Sequence, residues 1–243
     1  MKNYISVLVI ALAAILCFWI LGTAYKYKFK SAETISVTGL AEKDFVSDQI
    51  VWTGNYSRKM LDLKSAYSLL KEDESKIRIY LKEKGVVENE MVFSAINIDK
   101  EFNTKYDVDG KVIGSEFNGY NLKQNVTVDS KNIEKVEKIS REVTELIQNG
   151  IEFNSSSPSY YYTKLSELKL DLLAKASADS KQRAQTIAKN SGSNLGSIKK
   201  ANMGIFQITG KNSNEDYSYG GALNTSSKNK TASITTKIDY AVD

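Results

Sequence analysis

The chain has no histidine and a single cysteine, Cys17, inside an apolar run. Histidine is the usual general base near neutral pH and a common metal ligand, so His-dependent triads and His metal sites are excluded. The position of Cys17 removes a thiolate nucleophile and a cysteine zinc site. What remains is acidic, hydroxylic or aromatic. Glu72-Asp73-Glu74 could contribute carboxylates to acid–base work, but beside so many lysines the run reads as a solvated helix face. Asp107-Val108-Asp109-Gly110 resembles part of a calcium loop. It lacks the third oxygen ligand before the glycine and the distant glutamate, and Asp-Gly reads instead as a hairpin tip. Gly192-Ser193-Asn194-Leu195-Gly196 lacks the spacing and the lysine of a phosphate loop and reads as a helix stop and turn. Tyr160-Tyr161-Tyr162 offers either a binding surface or a strand with alternately buried rings. Serines and lysines abound without a motif that pairs them. No residue is assigned a catalytic, cofactor-binding or metal-ligating role.

The elements that carry these residues can be read from periodicity. Thr34–Leu40 and Phe45–Ser57 read as strands rich in β-favouring residues. Asp62 suits an N-cap, and Leu63, Tyr67, Leu70, Ile77 and Leu81 recur at near-helical spacing until Gly85. Val92, Ser94, Ile96 and Ile98 suggest one face of a strand, and Asn103–Ser115 a polar connection. Tyr120, Leu122, Gln124, Val126 and Val128 share a strand face. Asp129 or Ser130 is expected to cap a second helix, with Ile133, Val136, Val143 and Ile147 inward and Asn149-Gly150 at its end. Tyr160–Leu165 reads as extended. A long helix over about 166–191 carries the stripe Leu165, Leu168, Leu172, Ala176, Ser180, Ala184 and Ile187. Its second half is rich in small residues, which let another backbone approach closely. Ile198–Ile208 reads as a strand, Asn212–Lys230 as a mobile polar loop, and Ile234–Tyr240 as a half-buried final strand. The order of strands and helices predicts an α+β fold, antiparallel-rich, with about three packed helices. Residues 31–243 are expected to form one body with two halves, since Pro158 is the sole proline and no Pro-rich hinge separates modules.

Residues 1–30 are of another kind. No charge falls between Asn3 and Tyr25, and 5–21 is almost wholly apolar, about the length a bilayer core demands. Gly22-Thr23-Ala24 could serve as a cleavage site for an export signal. The length of the run, bulky Phe18, Trp19 and Ile20 near its end, and Trp19, Tyr25 and Tyr27 as an aromatic belt favour an uncleaved anchor. Leu16 before Cys17 argues against lipid modification there. Lys2, Lys26, Lys28 and Lys30 account for the whole net charge of +4, so the rest of the chain is neutral and carries no nucleic-acid footprint. Counted alone, the lysines place the body on the cytoplasmic side. The lack of thiols beyond Cys17 fits an oxidising compartment.

A set of residues in order carries a family likeness. Ile35-Ser36-Val37-Thr38-Gly39 opens the body, with Asp48 near the start of the next strand and Gly85-Val86 after the first helix. Phe117-x-Gly119-Tyr120 leads into Asn125-Val126-Thr127-Val128, and Gly150-Ile151 follows the second helix. The Ala-rich helix Ala174–Ala188 then runs to Gly192 and Leu195-Gly196-Ser197-Ile198. Over roughly 33–242 this order resembles the SIMPL-domain family of bacterial envelope proteins, also called the 26-kDa periplasmic immunogenic protein family. The acidic residue usual soon after Val-Thr-Gly stands here at Glu42. The resemblance implies an inner-membrane-anchored or exported body in the periplasm, an α+β fold and a tendency to self-assemble, and it brings no catalytic residues. The expected function is non-enzymatic, by oligomerisation or partner binding at the periplasmic face. The alternatives are a small-ligand-binding module and a Ser/Lys or carboxylate-dependent hydrolase.

Overall fold

The computed structural model describes residues 2–30 and 33–242. In chain order its elements are α1 (Lys2–Lys30), β1 (Thr34–Val46), β2 (Gln49–Met60), α2 (Leu63–Glu83), β3 (Met91–Phe93), β4 (Asn97–Tyr106) and β5 (Val112–Ser130). Then follow α3 (Ile133–Glu142), β6 (Phe153–Ser155), β7 (Ser159–Tyr161), α4 (Leu165–Asn190), β8 (Leu195–Met203), β9 (Gln207–Gly210) and β10 (Asn229–Val242). A 3-10 turn covers Val143–Asn149. The fold is α+β, and its strand pairs are antiparallel.

Two sheets form. The first runs β1-β10-β8, with β9 also on β10; the second runs β3-β5-β2-β6, with β4 on β5 and β7 on β2. The chain crosses from one to the other at Ser47-Asp48. The boundary expected near Phe45 therefore moves: β1 continues through Phe45 to Val46 because it stays in register with β10 for thirteen residue pairs.

The second sheet packs on α2 and α3 around Trp52, Tyr56, Leu70, Ile77, Leu122, Val126, Val136 and Ile139. The polar edges of this core are satisfied. Trp52 Nε1 donates to Ser155 Oγ at 2.9 Å, Tyr56 Oη to Gln124 Oε1 at 2.7 Å, and Gln124 Nε2 to the Ser94 carbonyl at 2.9 Å. Asp62 caps α2, accepting from the Ser65 amide at 2.8 Å. The buried stripe of α2 is Ala66, Leu70, Asp73, Ile77 and Leu81. Leu63 and Tyr67, expected inward, lie on the exposed side of that stripe.

Other expectations shift for local reasons. Asn132, not Asp129 or Ser130, caps α3, because β5 runs on through Ser130. Ile147 faces solvent, since the 3-10 turn rotates the chain so that Leu146 is buried instead. Met91 and Phe93 take the inward face near β3 while Val92 is exposed, and irregular residues at 94–96 break the face drawn through Val92 and Ile98. The polar connection of 103–115 is mostly a β-ribbon; only the turn at 107–111 is irregular. The strand at 198–208 is split in two at Gly204–Phe206. The helix stops at Gly85, Gly150 and Gly192 all have positive φ, at 86°, 72° and 72°, the left-handed backbone that suits glycine.

The first sheet packs on α4. Leu168, Leu172, Ala176, Ser180, Ala184 and Ala188 are buried, while Ile187 at the end of the expected stripe is half exposed. The contact is closest at Gly39, where an added Cβ would stand 2.2 Å from the Ala176 carbonyl oxygen. Ser180 Oγ and Thr236 Oγ1 lie 2.7 Å apart, and both bond the Ala176 carbonyl. Tyr160 packs on the core of the second sheet and Tyr162 on that of the first, with Tyr161 exposed between them; the strand expected over 160–165 ends at Tyr161, because the chain turns at 163–164 to start α4.

Candidate functional site

Three surfaces carry chemistry that packing leaves unused. The first is α1. Its segment Val7–Lys26 has a mean hydropathy of 2.6 and none of it is buried, which meets the length and polarity demands of a membrane span.

The second is the ribbon made by β4 and the first half of β5, where β5 pairs with β4 alone. The sheet face that α2 and α3 cover elsewhere continues here uncovered. Phe102, Tyr106, Val112 and Phe117 are exposed along it, and Val108 and Ile113 are exposed toward its tip. Phe117 stands edge-on to Phe102 at 5.8 Å and to Tyr120 at 5.1 Å. Exposed apolar rows of this kind mark interaction surfaces more often than chance exposure does. At the ribbon tip Asp107 Oδ1 accepts from the amides of Asp109 and Lys111, so this carboxylate serves the turn.

The third is a cavity of about 330 Å³ on the face of the first sheet away from α4, lined by Leu40, Ile205, Gln207, Tyr217, Tyr219 and Ser233. Residues 211–228 fold over it. The loop expected to be mobile over 212–230 is fastened at several points, and its last two residues belong to β10. Gln207 donates to the Ser218 carbonyl and accepts from the Ser218 and Ala222 amides. Buried Lys230 donates to the carbonyls of Asn224 and Ser227 at 2.7 and 2.5 Å and to Asn224 Oδ1 at 3.2 Å. Burial pushes its ammonium below the ordinary lysine value, against the pull of Glu215. All three protons of this lysine go to oxygens that fasten the loop, and no serine hydroxyl is among them.

Glu215 closes the fastening by accepting from the Gly210 amide at 2.9 Å and from Asn224 Nδ2. The Gly210 hydrogen bond, then Asn224, hold its carboxyl below the ordinary value of 4.5. A carboxyl depressed in the fold stabilises it above that value and ceases to do so as pH falls through the lower folded value. The protection of the Ser218 and Ala222 amides against hydrogen exchange, relative to the intrinsic rate at each pH, should therefore fall on acidification below about pH 4.5, earlier than protection in β5. Equal protection at pH 3 and pH 6 would contradict this role for Glu215.

The family model for SIMPL, described as a protein of unknown function (DUF541), matches residues 35–240. The chain belongs to the SIMPL family. The match begins at β1 and ends in β10, so the SIMPL region takes in both sheets and α2–α4, while α1 lies outside it. A search of curated proteins found no match.

Within the SIMPL fold the expected acidic face separates into unlike parts. Glu72 is exposed and pairs with Lys76 at 2.8 Å. Asp73 is 2 % exposed and accepts two hydrogen bonds from Arg58, at 2.5 Å from Nε and 2.8 Å from Nη2. Arg58 Nη2 also reaches the Gly150 carbonyl at 2.8 Å, so the pair ties β2, α2 and the end of the 3-10 turn. The signal was present in the sequence: Asp73 stands three residues after Leu70 and four before Ile77, on the buried stripe. Among the described residues no three His, Cys, Asp or Glu side chains gather as metal ligands would. Gly192–Gly196 is the turn from α4 into β8.

Proposed function

We propose that this SIMPL protein is held in the bacterial inner membrane by α1 and works without catalysis. Its body, residues 31–243, hangs in the periplasm and acts by self-association or by binding a protein partner. The uncovered aromatic row of the β4–β5 ribbon is the observation that carries this reading, because a monomer gains nothing by leaving Phe102 and Phe117 in water. The fully exposed apolar segment Val7–Lys26 supports the anchor. The periplasmic side rests on the family likeness, against the lysine count.

Sedimentation of the full chain in density-matched detergent tests the assembly. A defined oligomer is expected, shifted toward monomer by the pair Phe102→Ser and Phe117→Ser. A strict monomer at high concentration would remove self-association and leave partner binding. The cavity under Tyr217 and Tyr219 favours a second reading, a small-ligand module. Thermal shifts against a metabolite panel, abolished by Tyr217→Ala, would support it.

A further inference from the structure

The outer margin of β1 is an open backbone template. In an antiparallel ladder, alternate residues turn both N–H and C=O away from the partner strand. The Leu40 amide faces away from β10, since it donates to Asp179 Oδ2 of α4 at 2.9 Å. The β1–β10 register is unbroken, so Ser36 and Thr38 face outward as well. Their amides and carbonyls border a groove of about 580 Å³ whose other wall is Asp179, Gln182, Arg183, Thr186 and Ile187 of α4.

Proteins blunt exposed strand edges with charges, prolines, bulges or short length. The other long edges here are blunted: β8 carries Lys199 and Lys200 and bulges twice against β10, and β4 carries Lys100, Glu101 and Lys105. Thr34–Ala41 has no charge, no proline and no shift. An unprotected edge beside a helix is built to be paired.

The groove also reads charge. Arg183 donates through Nε to Asp179 at 2.8 Å, and its Nη groups have no partner among the described residues. In a second copy, β8 would bring Lys199 and Lys200 to the seam, and β1 would bring another Arg183 whose neighbouring carboxylate, Asp179, is already bonded to that arginine and to the Leu40 amide.

We propose that the groove between β1 and α4 takes an extended, acidic segment of a partner protein, which pairs with Ser36 and Thr38 and places a carboxylate on Arg183. Strand addition of this kind draws affinity from main-chain hydrogen bonds and specificity from alternate side chains. The inference rests on the partner-binding reading above and names the surface and the partner chemistry.

The test uses the full chain in detergent micelles and three probes: acetyl-Thr-Val-Thr-Val-Asp-Val amide, its Asn analogue, and a version N-methylated at alternate positions. The acidic peptide should slow exchange of the Ser36 and Thr38 amides at least tenfold. The Asn analogue should bind at least tenfold more weakly, and the N-methylated one should give no protection. Arg183→Gln should erase the difference between acidic and neutral probes. Thr38→Pro should abolish binding while circular dichroism stays unchanged, because the amide it removes faces outward. Absence of protection by the acidic peptide, or protection that survives N-methylation, overturns the proposal. So does protection that rises with protein concentration alone, which gives the edge to a second copy. Failure here with the sedimenting oligomer intact removes the groove and leaves self-association standing.

Discussion

Arg58→Met is expected to lower folding stability by about 3–5 kcal/mol, the usual result of stripping the partner from a buried charge. Asp73 has no water to turn to at 2 % exposure, and Arg58 supplies two of its hydrogen bonds. The substitution also leaves the Gly150 carbonyl without its donor, so the junction of β2, α2 and the 3-10 turn loosens together. The double variant Arg58→Met with Asp73→Leu should recover most of the loss, since an apolar pair of similar volume carries no desolvation penalty. Urea unfolding followed by circular dichroism reads both. A loss below about 1 kcal/mol, the value of a solvated surface pair, would show that Asp73 finds water despite its packing.

Gly39→Ala is the second large effect, and its cause is space. The new Cβ would lie 2.2 Å from the Ala176 carbonyl, 2.3 Å from Ser180 Oγ and 2.5 Å from the Ser180 amide nitrogen. Two of these neighbours are helix backbone, so no rotamer change relieves them and α4 must lift from β1. Overpacking at a tight contact costs about 3 kcal/mol when the backbone has to move. The Ser180–Thr236 hydrogen bonds should break in the same event. Gly22→Ala, where nothing lies within 4 Å of the added atom, is the control and should be neutral to unfolding. Thermal unfolding of Gly39→Ala within a degree or two of the parent would sink this account.

Much of this architecture could be read from the residues because one face of each element is buried. Leu122, Gln124, Val126 and Val128 alternate as a half-buried strand must, and Ala176 and Ser180 mark the helix face that approaches Gly39. What could not be read depended on long-range partners. β1 and β2 look like consecutive strands of one sheet, yet each finds its neighbour far along the chain, β1 in β10 and β2 in β5. The ribbon looked like a polar loop because its polar and aromatic residues are both exposed, so no alternation of burial betrays it. The loop at 212–230 looked mobile from its serines and asparagines. Those side chains are the ones that fasten it, and composition does not tell a solvated amide from one bonded to Lys230 or Glu215. The candidate surfaces were less legible still. The open margin of β1 is defined by which amides point outward, a property of register rather than of residue type.

The pairing of the first strand with the last also sets an order of events in biogenesis. β1 is synthesised well before β10, its ladder partner, so the first sheet cannot close until translation has passed Val242. Contacts so distant in sequence form late and slowly. The second sheet has no such delay. It lies wholly between Gln49 and Tyr161, two residues that are themselves paired, and can assemble while translation continues. In that interval the uncharged Thr34–Ala41 segment waits with both margins bare, a sticky nascent strand of the kind that misassembles unless something shields it. Slowing or truncating synthesis before β10 should therefore harm this protein more than an equal loss elsewhere, because it strands β1 as well as removing its partner.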